Sequence, residues 1–322
     1  MPERAEGEES MSKYVFGVDV GGTTVKLGFF DVDGNLLDKW EIPTRTEDGG
    51  SKILPDVAES IKAKLAEKKI DKAEVAGVGL GAPGPIDAEG VVHNAVNLGW
   101  GVFSIREVLS GLLDMPVMAG NDANVAALGE MWKGGGQGHK NLVAVTLGTG
   151  VGGGIIVEGK ILTGSVGAGG EIGHIHVEDN ETELCGCKNC GCLEQYASAT
   201  GIVRLAKRRL AKDDTESKIR RDNISAKTIF DAVKEGDALA IEVAQEFGEY
   251  LGKGLAVIAC VLNPEIFVIG GGVSKAGEIL FDYILPSFKR TVFKGSLNTE
   301  FALATLGNDA GIYGAAKLVL GE

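Results

Sequence analysis

The chain has no apolar run approaching the roughly 20 residues that cross a bilayer, so no membrane partner is expected. Cations are in deficit: 32 Lys and Arg stand against 45 Asp and Glu, a net charge of -13. An acidic surface repels phosphate backbones, which argues against nucleic acid as a partner. ATP stays admissible, because a Gly-rich turn holds phosphates through backbone N–H groups. The P-loop pattern G-x-x-x-x-G-K-[ST] is absent, so any phosphate site is of another type. Met1 to Ser12 has neither a basic n-region nor an apolar h-region. A disordered leader over residues 1–12 and a cytoplasmic location are expected. Disulfide spacing is missing too. Of five cysteines, four fall between Cys185 and Cys192, where a secreted framework would spread them. Cys260 lies in the apolar run Leu255 to Leu262 and is expected to be a buried, inert thiol.

Against these absences stand 322 residues, 44% of them hydrophobic, with 49 clustered glycines. Length allows two domains. Val15–Val20 reads as a buried strand, Gly21-Gly22 as a turn, and Val25–Phe30 and Leu36–Ile42 as the next strands. Ile53, Val57, Ile61 and Leu65 recur every four residues, predicting a helix. Val75–Gly81 is another strand, broken at Ala82-Pro83-Gly84-Pro85. The second half opens in the same way: strand Leu142–Leu147, turn Gly148-Thr149-Gly150, return strand Ile155–Val157. That repetition suggests two copies of one sheet-opening motif. Helices over Ala238–Cys260, Ala276–Phe288 and Ala310–Leu320 alternate with strands Glu265–Ile269 and Phe301–Thr305, which indicates α/β architecture. Such a chain fits a two-lobed, actin-like (ribonuclease H-like) ATPase fold with its active site in the interlobe cleft. The expected small lobe spans 13–117, with a C-terminal helix of about 306–322 packing back on it. The expected large lobe spans 118–305.

Four motifs carry chemistry. Asp19-Val20-Gly21-Gly22-Thr23-Thr24-Val25-Lys26 offers close backbone approach to an anion, hydroxyl donors, and a carboxylate able to hold Mg²⁺ through water. It reads equally as a plain hairpin. Gly148-Thr149-Gly150 repeats the device, and Gly270-Gly271-Gly272 follows a buried strand where it could bound adenine or ribose. Gly120-Asn121-Asp122-Ala123-Asn124 sits between the strand Met115–Ala119 and the helix Val125–Trp132. Asn121 or Asp122 could cap that helix. Alternatively a carboxylate there is the base that takes a hydroxyl proton in phosphoryl transfer. Lastly, His174 and Cys185, Cys187, Cys190 and Cys192 offer five soft donors for the four places of a zinc ion.

Together these motifs resemble the ROK family (repressors, open reading frames, kinases), in its bacterial glucokinase branch. The likeness runs from Lys13 to Leu320 and includes Gly81-Ala82-Pro83-Gly84, Asn97-Leu98-Gly99-Trp100, Glu171-Ile172-Gly173-His174 and the Cys185 to Glu194 stretch. The resemblance implies ATP-dependent phosphorylation of glucose to glucose 6-phosphate, with Mg-ATP and a structural zinc. It implies ATP contacts from Asp19, Gly21, Gly22, Thr23, Thr24, Lys26, Thr149, Gly150, Gly270, Gly271 and Gly272. It implies Asp122 as the general base, and sugar contacts from Gly81, Asn97, Asn121, Asp122, Glu171, His174 and Glu194. The zinc ligands implied are His174, Cys185, Cys187 and Cys192, with Cys190 as an extra thiol. A homodimer or homotetramer is implied as well. Family repressors carry an N-terminal helix-turn-helix, and a twelve-residue leader is too short for one. The alternatives are a kinase for N-acylmannosamine or fructose, or a silent sugar sensor. Whether polyphosphate can replace ATP is open.

Overall fold

The computed structural model describes residues 12–220 and 223–321; the expected leader lies outside them apart from Ser12. The chain divides into two compact units, each with its own hydrophobic core. One holds the residues up to Gly129, Thr163–Gly167 and the end from Asp309; the other holds Glu130–Leu162 and Ala168–Asn308.

In the first unit, β1 (Tyr14–Val20) pairs antiparallel with β2 (Thr24–Asp31), and β2 with β3 (Leu36–Pro43). On its other side β1 pairs parallel with β4 (Val75–Ala82), and β4 with β5 (Val117–Asn121). The sheet order is therefore β3-β2-β1-β4-β5. Burial follows position. β4 is covered almost throughout, as an inner parallel strand must be, whereas edge strand β3 alternates half-buried and exposed. Because β5 belongs to this sheet, the first unit reaches Gly129 rather than ending at 117.

Helix α1 (Ile53–Lys68) buries Ile53, Val57 and Ile61 in this core, as its four-residue spacing predicts. Helix α2 spans Ile105–Leu113. Helix α3 (Asp122–Lys133) begins at Asp122, three residues before the sequence reading placed it. It starts as soon as β5 ends, because the cap is supplied from the strand itself, as described below.

The second unit repeats the topology. β6 (Leu142–Leu147) pairs antiparallel with β7 (Val151–Val157), which continues to β8 (Lys160–Ile161). β6 also pairs parallel with β9 (Ile266–Gly270), and β9 with β10 (Glu300–Leu303). The order β8-β7-β6-β9-β10 matches the first sheet position by position. β7 begins four residues earlier than expected. Gly152 to Gly154 carry no hydrophobic alternation, yet they pair with Val145, Thr146 and Ala144. Around this sheet pack α4 (Ala199–Leu210), α5 (Ala226–Lys234), α6 (Ala238–Leu262) and α7 (Ile279–Thr291).

Cys260 is exposed, contrary to the expectation of a buried thiol. α6 is apolar around much of its C-terminal half, so composition hides the phase. Ala256 and Ala259 turn inward, while Val257, Cys260 and Val261 share the outer face.

The C-terminal helix α8 (Ala310–Leu320) belongs to the first unit and lies directly on β1 and β4. Contact is backbone to backbone. A Cβ at Gly79 would stand 1.7 Å from the Ala315 carbonyl oxygen. Gly79→Ala is therefore expected to lower stability by about 2 kcal/mol or more, the scale of overpacking a close contact. Urea unfolding checks it, and an unchanged midpoint would show that α8 can shift without cost.

Candidate functional site

The first unit gathers its candidate residues at the carboxyl ends of parallel strands, the place where open α/β sheets bind ligands. Register does this. Asp19 pairs with Gly81, Gly81 with Gly120, and Ala82 with Asn121. Asp19 also lies opposite Lys26 across the hairpin. The turn between β1 and β2 leaves Gly22 and Thr23 exposed, and the Gly21 N–H donates to the Thr24 carbonyl at 3.0 Å. Asn97 is exposed on the short turn Val96–Leu98.

Asn121 turns out to be the cap of α3. Its Oδ1 accepts from the Ala123 and Asn124 N–H groups at 3.0 and 3.2 Å, satisfying donors that a helix start leaves open. Its Nδ2 donates to the Gly84 carbonyl at 3.0 Å. Gly84 has φ +95°, and a Cβ there would meet the Asn94 carbonyl at 2.4 Å, so only glycine fits this turn. Asn121 thus ties the Pro-Gly turn to the helix start and fixes its neighbour Asp122.

Asp122 is the first residue of α3, and its Oδ1 accepts from the Ala123 N–H at 2.8 Å. A helix N-terminus favours the ionised carboxylate by only about 0.3–1 kcal/mol. Burial acts the other way and wins: the Asp122 carboxyl is raised above the ordinary range, against hydrogen bonds from Ala123 and Asn121. A proton acceptor of raised affinity is better suited to taking a hydroxyl proton near neutrality. Asp19 is pushed up to about 6, first by burial and further by the charge of Asp122, with Lys26 opposing. Gly81 keeps space beside this pair, since a Cβ there would press on Val125 at 3.3 Å.

The second unit builds another cluster. Gly148 and Thr149 form the tight turn between β6 and β7. The Gly148 carbonyl accepts from the Ala199 N–H at 2.8 Å, and the Thr149 carbonyl accepts from the Thr200 hydroxyl. Both donors sit at the start of α4. Gly270-Gly271-Gly272 follows β9, and Gly271 packs against the backbone of Leu147, one residue before that turn. The two glycine turns are thus adjacent. Glu194 Oε2 accepts from the Val151 N–H at 3.0 Å and occupies the space that a Cβ at Gly150 would need. Its Oε1 lies 3.6 Å from Cys185 Sγ. Glu171 is exposed, with its carboxylate 3.9 Å from His174 Nε2.

His174, Cys185, Cys187 and Cys192 place four donor atoms within 4.8 Å of one another. His174 Nδ1 lies 3.8 Å from Cys185 Sγ, and Cys187 Sγ lies 3.5 Å from Cys192 Sγ. A tetrahedral ion with thiolates at about 2.3 Å sets neighbouring donors about 3.8 Å apart, so the set has the dimensions of a closed metal site. Without a cation, burial pushes the Cys192 thiol up to about 12, a proton load that a metal would displace. Cys190 is outside this group; its carbonyl faces His176 Nδ1 at 3.0 Å.

Sequence reasoning missed Glu181, Arg204 and Arg208, which pair beneath the cysteine segment. The acidic stretch Glu178 to Glu183 reads as a solvated face, and nothing in the spacing signals its partners on α4.

Two sheets of one topology, each opened by a glycine-turned hairpin, define the actin-like class of α/β ATPase folds. A model of the ROK family matches residues 15–322. The chain belongs to the ROK family. It is 45% identical over 314 residues to a glucokinase of Halalkalibacterium halodurans and 38% identical over 319 residues to one of Thermotoga maritima; each alignment covers 95% of this chain and 95% or 96% of the relative. Among solved structures it is similar to a ROK family glucokinase from Streptomyces griseus in complex with glucose and AMPPNP. That likeness has a TM-score of 0.69 and 36% identity, and covers 95% of this chain and 98% of the other.

The Asp19 environment predicts a pH effect. Folded Asp19 holds its proton to about pH 6, against 3.8 for the free side chain. Between those values the folded state binds more protons than the unfolded state, so stability falls as pH rises through the window. The loss amounts to roughly 2–3 kcal/mol and persists above pH 6. Asp19→Asn, measured without nucleotide, should flatten that part of the thermal stability profile and be the more stable protein at pH 7. Parallel profiles for parent and variant would contradict it.

Proposed function

We propose that the protein transfers the γ-phosphoryl group of Mg-ATP to the primary hydroxyl of glucose, giving glucose 6-phosphate. The observation that carries this reading is Asp122: a half-buried, proton-avid carboxylate at a strand-to-helix junction, held in place by Asn121 and beside a second carboxylate, Asp19. The glucokinase relatives and the glucose complex of a similar chain support glucose as the substrate.

In this mechanism the Asp122 carboxylate accepts the hydroxyl proton as the sugar oxygen attacks the γ-phosphorus, and ADP leaves. Asp19 would hold the Mg²⁺ of the nucleotide. Gly21, Gly22, Thr23, Thr24 and Lys26 serve the phosphates on one hairpin, and Thr149 and Gly150 on the other. Gly270, Gly271 and Gly272 bound the nucleoside. Gly81 gives the sugar room, and Asn97, Glu171, His174 and Glu194 hold its hydroxyls, which supplies orientation. Asn121 contributes by fixing Asp122, since its amide is committed to the cap and to Gly84. His174, Cys185, Cys187 and Cys192 would hold zinc. A zinc ion held there would cross-link the cysteine segment, and His174 Nε2 lies 3.9 Å from the Glu171 carboxylate. The reading includes a homodimer or homotetramer, on family grounds.

A coupled assay over glucose, N-acetylmannosamine and fructose tests the reading. Glucose should give the highest kcat/KM, and Asp122→Asn should lower kcat by roughly 10² or more with a much smaller change in sugar affinity. A better rival sugar overturns the substrate assignment, and near-parental turnover of the variant overturns the base. Zinc is tested by elemental analysis: Cys190→Ser should keep about one ion per chain, while Cys192→Ser should lose it and lose stability. Loss of metal from the Cys190 variant would refute the ligand set.

A further inference from the structure

The second unit contains a buried carboxylate that the mechanism above does not use. The side chain of Glu181 is 1% exposed. It accepts from the Tyr196 hydroxyl at 2.5 Å, from Arg204, and from both terminal nitrogens of Arg208 at 3.0 Å. The Thr182 and Glu183 N–H groups add bonds at 3.0 and 2.9 Å. Glu183 binds the same two arginines from the surface, at 2.9 and 2.8 Å.

These bonds join three pieces of chain. Tyr196 belongs to the helical turn Glu194–Ala197, which Glu194 begins. Arg204 and Arg208 lie one turn apart on α4, and Arg204 also donates to the Gln195 carbonyl at 3.0 Å. Gln195 in turn donates to the Glu183 carbonyl at 2.8 Å and accepts from the Cys192 N–H at 3.1 Å. The segment leading into Cys185 is thereby fixed to the turn that carries Glu194, through side chains that are not metal ligands.

We propose that Glu181 is a positioning residue for sugar binding: with Tyr196, Arg204 and Arg208 it clamps the cysteine segment to the turn that presents Glu194. This rests on the reading that Glu194 holds a sugar hydroxyl. A buried ion network of this kind is a poor source of stability, because desolvation of the charges offsets their attraction. Its contribution lies in a fixed geometry: a bidentate guanidinium fork and a short phenol bond admit few arrangements.

Glu181→Gln keeps the shape but leaves two guanidinium groups facing a neutral amide. In the zinc-loaded enzyme, the glucose KM should rise about tenfold while kcat stays within about threefold and the ATP KM is unchanged, the pattern of a lost binding geometry. Zinc transfer to a chromophoric chelator, followed without substrate, should be several times faster. Tyr196→Phe removes one bond, keeps all charges, and should move both readouts in the same direction by less. It carries the test if Glu181→Gln does not fold. Unchanged glucose KM and unchanged zinc transfer in the folded variants would overturn the proposal, as would equal changes in kcat and both KM values. Failure of the parent to phosphorylate glucose would instead strike the functional reading, while the zinc-transfer comparison would still be read.

Discussion

The chemistry of the first unit depends on one constraint, the in-register parallel pairing of β1, β4 and β5. That pairing sets Asp19, Gly81 and the Asn121-Asp122 step at a single end of the sheet. Two carboxylates brought together under cover cannot both ionise freely. Burial raises the cost of charging each of them, and the charge of Asp122 raises it further for Asp19. The surrounding devices serve this arrangement. Asn121 caps α3 and grips Gly84, which fixes the backbone that carries Asp122. Lys26 across the hairpin tempers Asp19. α8 closes over β1 and β4 on a glycine surface and brings Gly311 against the Asp19 carboxyl.

The second unit uses the same sheet for a different end. Between β8 and α4 the chain has little regular structure, and Leu184, next to Cys185, is 71% exposed. Hydrophobic burial alone cannot fix such a segment. It is held instead by directional contacts: the four-donor cluster on one side and the Glu181 network on the other. Glu194 is placed between them, reaching Cys185 with one oxygen and the Val151 N–H with the other. A single carboxylate therefore couples the cysteine segment to the glycine turn between β6 and β7.

Much of this was legible in the sequence, for identifiable reasons. Apolar runs interrupted by glycine pairs mark both hairpins, and their repetition anticipates the shared sheet order. The four-residue spacing of α1 places its buried face. The Cys185 to Cys192 cluster signals a metal site by density alone, and the structure sets Cys190 apart from the other three. Other features were hidden. β7 starts in a triple glycine that has no alternation to read. The outward face of Cys260 depends on the phase of an apolar helix. The start of α3 depends on a cap donated by a strand residue. The raised proton affinity of Asp122 depends on burial, which no local pattern encodes. Glu181 looks like a surface charge until Arg204 and Arg208 are brought to it from α4.

The central claim is that the end of the first sheet holds a pair of half-buried carboxylates whose proton affinities are raised by their surroundings. Carbon-13 NMR titration of the aspartate carboxyl groups, in the protein without nucleotide, tests it directly. The account predicts that the Asp19 signal titrates near pH 6, that Asp122 titrates above the ordinary range, and that Asp122→Asn lowers the Asp19 midpoint. Two carboxyls titrating at or below the ordinary value, each indifferent to the other, would contradict it.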